Sequence, residues 1–446
     1  MELIYHYLWK HRVFGYPLTT VDGQELVVRS PGRHNDDAGP DFSGAKILIA
    51  GQEWVGNVEI HVKASDWFLH GHDRDRAYDS VILHVVAVDD ARIRRPDGSE
   101  IPQTVVTLPP EFHIAYRHLT ADLRGIRCAS FIPMFPPMVK TDWLESLAVE
   151  RLQMKAERLL DYRRQLDGDW EQAVFTAVAR GLGFGLNALP FEMLAKSIPL
   201  KYIYHHADNL EQVEALLLGQ AGLLDSSRHI FDDYYQMLCR EYIFLARKYG
   251  LRPMRADLWK YSRSRPQNFP HRRIAMLATA LHEGVQFAKG LEKAAGDIDA
   301  LLEFFDWRLD GYWGRHYGFG DMGEERVMPR TLSVASKELL IINVAAPFYY
   351  AHARVSGNIE LGEKASNMLM LLNAERNSKT SCWRGCGLDP EDALQSQALI
   401  HLRDEYCDRN RCLDCRFGHY LLRHHARGRL FDWKRVEENT FIEIPD

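Results

Sequence analysis

Apolar and polar positions change period part-way along this chain. Between Val21 and Leu108 they follow the two-residue period of a pleated strand, in which successive side chains face opposite sides. Gln24 to Arg29 is rich in β-formers, Ala45 to Ile49 and Trp54 to Val62 alternate, and Val81 to Val88 is the unbroken apolar run of a strand covered on both faces. Gly32, Gly39-Pro40, Gly51-Gln52 and Asp97-Gly98 mark turns. A helix is predicted over residues 2 to 11. After the Pro-rich stretch Ile132 to Pro137 the period lengthens. Leu144, Leu147, Leu152, Met154 and Leu159 recur at helical spacing, and similar patterns cover 171–179, 211–218, 230–249, 273–290, 298–307, 333–351 and 393–406. No repeat of fixed length appears. The fold class expected is α+β: a mixed α/β sheet domain over 1–130, a helical domain over 131–375 and a cysteine-bearing segment over 376–446.

At 446 residues the chain exceeds what one hydrophobic core usually holds, so several cores are expected. With 26% charged and 46% hydrophobic residues it has the composition of a packed protein. A net charge of -6 argues against coating nucleic acid through bulk attraction but leaves room for a local basic groove. Leu339 to Tyr350 is too short for a membrane span and is interrupted by Asn343 and Pro347. Met1 to Phe14 reads as an amphipathic helix rather than a signal peptide. The expected location is cytoplasmic, with no membrane partner, and no feature sets an oligomeric state.

The candidate chemistry begins at His34 to Phe42 and continues in Gly56 to Lys63. In a strand Glu59, His61 and Lys63 project to one side. An Asp41 at the head of one strand and a Glu59 on the next are placed to share a hard cation, Mg2+ or Mn2+, which would lower the pKa of a bound water. The plainer reading makes Asp41 a turn residue and Glu59, His61 and Lys63 a solvated strand face. His70-Gly71-His72 with Asp75 is a second cluster able to join a metal site or to serve a different small substrate. His84, amid apolar neighbours, reads as a hydrogen-bonded interior residue.

Arg263, Arg265, Arg272 and Arg273 fall in a stretch interleaved with Trp259, Tyr261 and Phe269, a pattern suited to nucleic-acid phosphates, DNA or RNA. Their alternative role is a solvated helix paired with acids elsewhere. Gly181 to Gly185 follows a helix, not a strand, and lacks a Lys-Ser/Thr ending, so it reads as a helix C-terminal turn.

Five of the seven cysteines cluster late in the chain: Cys382 and Cys386, then Cys407, Cys412 and Cys415, with His419 beyond. An odd count without an export signal favours Zn2+ or an iron–sulfur cluster over disulfides.

Pro40-Asp41, a hairpin, then Glu59-x-His61 resembles the PD-(D/E)XK nuclease superfamily. That resemblance implies a metal at Asp41 and Glu59, with His61, or Lys63 in reserve, positioning water. The superfamily usually carries Lys where this chain has His61. The segments His34 to Phe42, Gly56 to Trp67, Ala77 to Val86, Asn268 to Leu277, Ile341 to Pro347 and Glu405 to Gly418 together resemble a bacterial family known as domain of unknown function 2851. The expected function is metal-dependent hydrolysis of nucleic-acid phosphodiesters. The alternative is a non-catalytic module that binds nucleic acid or protein and carries a structural metal.

Overall fold

The computed structural model describes residues 2–425 apart from 15–16, 36, 96, 109, 122–124, 226–231, 263 and 323–327. Two compact units emerge: residues 1–140 with 403–446, and residues 141–402.

The first unit is built on a mixed sheet. Strands β1 (Leu18–Thr19), β2 (Glu25–Ser30), β3 (Arg33–His34), β4 (Phe42–Ile49), β5 (Gln52–Lys63), β6 (Val81–Val88) and β7 (Gln103–Val105) run in the order β1-β2-β4-β5-β6-β7, with β3 beside β4. β2, β4 and β5 form an antiparallel meander, whereas β6 is parallel to β5 and β7 parallel to β6. Thr20 bridges Thr104, and the Thr104 hydroxyl donates to Thr19 O at 2.8 Å, so the two edges meet and the sheet nearly closes.

Sequence chemistry sets these connections. Ala50 and Gly51, at φ 48° and 83°, join β4 to β5 in a two-residue turn whose twist matches that of the strands. Where β5 meets β6, a Cβ on Gly56 would lie 2.4 Å from Ile82 Cγ2 and 2.9 Å from Ser80 O, so only glycine permits the approach. The parallel pairing demands a crossover, made by α2 (Asp66–Leu69) and two short 3-10 turns, His72–Arg74 and Arg76–Tyr78. Trp67, Tyr78, Val81, Ile93 and Ile101 bury together beneath it.

Helix α1 (Glu2–His11) buries Ile4, Tyr5, Tyr7, Leu8 and Trp9 and packs against β5. β5 is therefore covered on both faces over Val58, Glu59, Ile60 and His61, all buried. This overturns the solvated-face reading of Glu59 and His61. Helix α3 (Pro110–Thr120) completes the N-terminal part.

The second unit is helical. Most of α4 (Pro137–Gln165) lies in it, followed by α5 (Trp170–Leu182), which stops at Gly183 as the sequence predicts, and a long series of further helices. One predicted helix, 273–290, is two: Pro270–His282 ends before Gly284, at φ 79°, and a new helix spans Phe287–Ala294. The pattern at 333–351 is interrupted by a π-turn at Ile341–Ala345. That at 393–406 is interrupted by another at Leu402–Cys407. Among the described residues no helix is long and apolar enough to cross a membrane.

Candidate metal centre

Asp41 and Glu59 clasp each other across β4 and β5. The Asp41 N–H donates to Glu59 Oε2 at 3.1 Å, and the Ile60 N–H donates to Asp41 Oδ2 at 2.9 Å. Phe42 pairs with Val58 in the antiparallel ladder, which holds the two carboxylates side by side. The crossover that follows β5 folds His70 and His72 back over them. His72 Nε2 lies 3.2 Å and His61 Nε2 3.6 Å from Glu59 Oε1, and His61 Nε2 is 3.1 Å from His70 Nδ1. Ligand atoms of His61, His70 and His72 all lie within 4.8 Å of one another. His6, from α1, sits 3.3 Å from Asp41 Oδ2, and His34 approaches its other nitrogen at 3.5 Å.

The floor of this site is sealed and its rim is not. Glu59 is 4% and His61 1% exposed, while His70 is exposed at the surface. Burial has a direct electrostatic result. The Glu59 carboxyl is pushed up to about 9, first by desolvation and then by the neighbouring Asp41 carboxylate, with the Asp41 amide opposing. Desolvation and the surrounding imidazoles push His61 down to about 2. The Glu59 contacts with His61 and His72 are thus contacts between uncharged groups at neutral pH rather than ion pairs.

A hydrogen-bond chain fixes which lone pair His61 presents. Gln103 Nε2 donates to Asp89 Oδ1 and to Ala91 O, so Gln103 Oε1 must accept, and it takes His84 Nδ1–H at 3.0 Å. His84 Nε2 then accepts from His61 Nδ1–H at 2.8 Å. His61 Nε2 is left as a lone pair facing Glu59 and His70. Outer partners that fix an imidazole's tautomer in this way are the usual support of a metal-binding histidine. His84, fully buried, is the hydrogen-bonded interior residue the sequence suggests, and it is also the link between the centre and the exposed Asp89.

The other predicted site residues are dispersed. Lys63 is exposed at the end of β5, and its N–H donates to Asp66 Oδ2. Arg272 is fully buried and Arg273 is 4% exposed. Arg272 donates to the carbonyls of Trp313, His316 and Pro329, and Arg273 to Asn268 and Met276, so neither forms part of an open phosphate stripe. Arg265 is exposed, and Arg263 lies outside the described residues. Cys382 and Cys386 belong to the helical unit, where their thiols donate to Lys379 O and Cys382 O. Cys407, Cys412 and Cys415 belong to the first unit. There burial, then Cys415 and Cys412, raise the Cys407 thiol, and Arg127 approaches Cys412 Sγ at 3.8 Å. His419 sits one helical turn after Cys415, its Nδ1 2.6 Å from the Tyr7 hydroxyl.

Sequence reading misses His6, Asp89 and Gln103. The histidine pair His70 and His72 is flagged by spacing, but nothing in the spacing ties it to His61.

Fold and site together define an α+β protein whose N-terminal sheet carries a carboxylate–imidazole centre. Residues 2–378 match the family model described as "Protein of unknown function (DUF2851)", and the chain belongs to that family. No curated protein and no solved structure matches it.

Proposed function

We propose that the N-terminal unit is a metal-dependent hydrolase of nuclease type, acting on phosphodiester bonds of DNA or RNA in the cytoplasm. The observation that carries this reading is the cluster of three imidazoles, His61, His70 and His72, with ligand atoms within 4.8 Å of one another, beside the paired carboxyl groups of Glu59 and Asp41. Glu59, His61, His70 and His72 would hold the ion. Nitrogen donors outnumber oxygen here, so the donor set suits Zn2+ or another imidazole-binding transition metal better than the Mg2+ or Mn2+ that Asp41 and Glu59 alone suggest, with Mn2+ the better fitted of those two. A bound ion would supply a water of lowered pKa and neutralise charge growing on phosphate oxygens.

The chain's own groups do the rest. Asp41, oriented by the Ile60 amide, faces His6 and offers a carboxylate to steer a water or hold its proton. The Asp89–Gln103–His84 chain keeps the His61 Nε2 lone pair turned inward.

Metal-dependent cleavage of single- and double-stranded DNA and RNA by the wild type, abolished in Asp41→Ala and Glu59→Ala proteins that stay folded, tests the proposal. Metal binding without cleavage of any of these substrates would favour the structural-metal reading, to which the depth of Glu59 and His61 lends support. Activity destroyed by His72→Ala but retained in Glu59→Ala would instead assign His70, His72 and Asp75 to a different substrate.

A second, structural metal, Zn2+ or an iron–sulfur cluster, is proposed at Cys407, Cys412 and Cys415, which share one unit and whose thiols would have to draw together around it, with His419 Nε2 as a further candidate donor. Cys382 and Cys386 belong to the other unit, where they are the donors of a separate, alternative site.

A further inference from the structure

The helical unit carries an open cavity of about 500 Å³, large enough for a small organic ligand. Its wall is strongly cationic. Arg151, Lys155 and Arg158 project from α4 at successive i, i+4 and i+7 positions, Arg180 comes from α5, and Lys379 from the short helix Ser378–Ser381; Glu375 is the acid among the lining residues. Like charges spaced this way along a helix repel and cost stability, so the helix alone gives no reason for them.

Arg151 Nε donates to Gln397 Oε1 at 2.8 Å, an uncharged acceptor, and Glu375 pairs directly with neither Lys155 nor Arg158. Glu375 spends its two oxygens on Asn377 and Gln397. Arg180 is bound to Glu192. Arg158 has no carboxylate partner among the described residues. Lys155 Nζ donates to Asn343 Oδ1 at 2.7 Å and to Gln397 Oε1 at 2.5 Å, two uncharged acceptors. In its protonated form, which a neighbouring anion would favour, Lys155 has a third donor with no acceptor among the described residues. Burial, followed by the repulsion of Arg151, holds Lys155 well below the usual lysine range.

The opposite wall is apolar and shaped by unusual backbone. Phe184 adopts a left-handed φ of 42°, a sparsely populated conformation for a residue with a side chain, and Val344 lies in the π-turn Ile341–Ala345 that also presents Asn343. Both features cost energy and recur where ligands bind. On Gly181 a Cβ would come within 2.7 Å of Leu340 Cδ2 and 3.3 Å of Val344 Cγ2, so a larger residue in that wall would press on those two side chains.

We propose that this cavity binds an organic phosphate of nucleotide size. The phosphate would be held by Lys155, Arg151 and Arg158, and the body would lie against Phe184 and Val344. The site is separate from the carboxylate–imidazole centre and does not depend on hydrolysis there.

The test is calorimetric titration of the full chain with ADP, inorganic phosphate and adenosine, in EDTA so that no metal can recruit phosphate to the first unit. ADP is expected to bind saturably at one site per chain, and adenosine at least tenfold more weakly. Arg158→Glu, at an exposed side chain, and Lys155→Gln should each weaken ADP at least tenfold, and Glu59→Gln should leave it unchanged. The proposal fails if ADP gives no saturable heat, if Arg158→Glu binds ADP as the wild type does, or if Glu59→Gln abolishes binding.

Discussion

Replacing Glu59 by Gln in metal-free protein isolates the electrostatics of the buried centre. In the unfolded chain a glutamate ionises near 4.5, whereas in the folded protein Glu59 keeps its proton up to about 9. Between those values the folded state holds a proton that the unfolded state has released, so stability falls as pH rises, by about 1.36 kcal/mol per pH unit. It is fully present below 4.5 and its loss is complete above about 9. His61 and His84, folded at about 2 and about 4 against an ordinary 6.5, act in the opposite sense: stability rises with pH up to 6.5 and is then level. From pH 6.5 to 9 the Glu59 contribution therefore stands apart from theirs, and it amounts to roughly 3 kcal/mol across that window.

Glutamine cannot ionise and its Oε1 still accepts from the Asp41 amide. Urea unfolding in EDTA at pH 6.5, 7.5 and 9, followed through tryptophan fluorescence, should show the Glu59→Gln variant gaining on the wild type by roughly that amount as pH rises. Trp67, buried beside the centre, reports on the correct unit. A gap between the two proteins that stays constant from pH 6.5 to 9 would refute the reasoning, because it would mean that Glu59 ionises in the fold without penalty.

Mn2+ binding should displace the same proton, so wild-type affinity is expected to rise about tenfold per pH unit between 6.5 and 9, and the slope should vanish in Glu59→Gln. Gln103→Leu removes the acceptor that sets the His84 tautomer; metal affinity should fall roughly 10- to 100-fold with the fold retained, measured by competition against a chromogenic chelator. Cys407→Ser should lose one metal equivalent per chain by elemental analysis while Cys382→Ser keeps it, and the reverse result would move that site to the helical unit.

Much of the sheet is legible in the sequence because burial on two faces writes itself as composition. Val81 to Val88 coincides with β6, and the turn at Gly51 with the hairpin between β4 and β5. Asp41, Glu59 and His61 are legible as a set because a strand's alternation and a neighbouring hairpin place them within reach. Arg272 and Arg273 mislead for the complementary reason. Local charge density cannot tell a guanidinium that ties down carbonyls from Trp313, His316 and Pro329 from one that faces solvent, since its acceptors lie more than forty residues away. The split at Gly284 and the two π-turns are invisible for another reason: helical periodicity survives a break or one extra residue when the same face stays buried on both sides of it.

The relay behind His61 shows where sequence reasoning stops and register takes over. His84, on β6, sits opposite Glu59 of β5 and opposite Gln103 of β7, so the three polar residues line up only because both strand pairs are parallel and in that register. A slip of one residue in either pair would turn His84 or Gln103 to the other face and leave a buried imidazole unsatisfied, at a cost of about 1–3 kcal/mol. The polar row therefore helps to specify the register that the apolar residues of β6, alike on both faces, do not define. Placing the centre at the end of that row ties its assembly to correct folding of the sheet: the lone pair that His61 offers exists in that orientation only when Asp89, Gln103 and His84 are already in line.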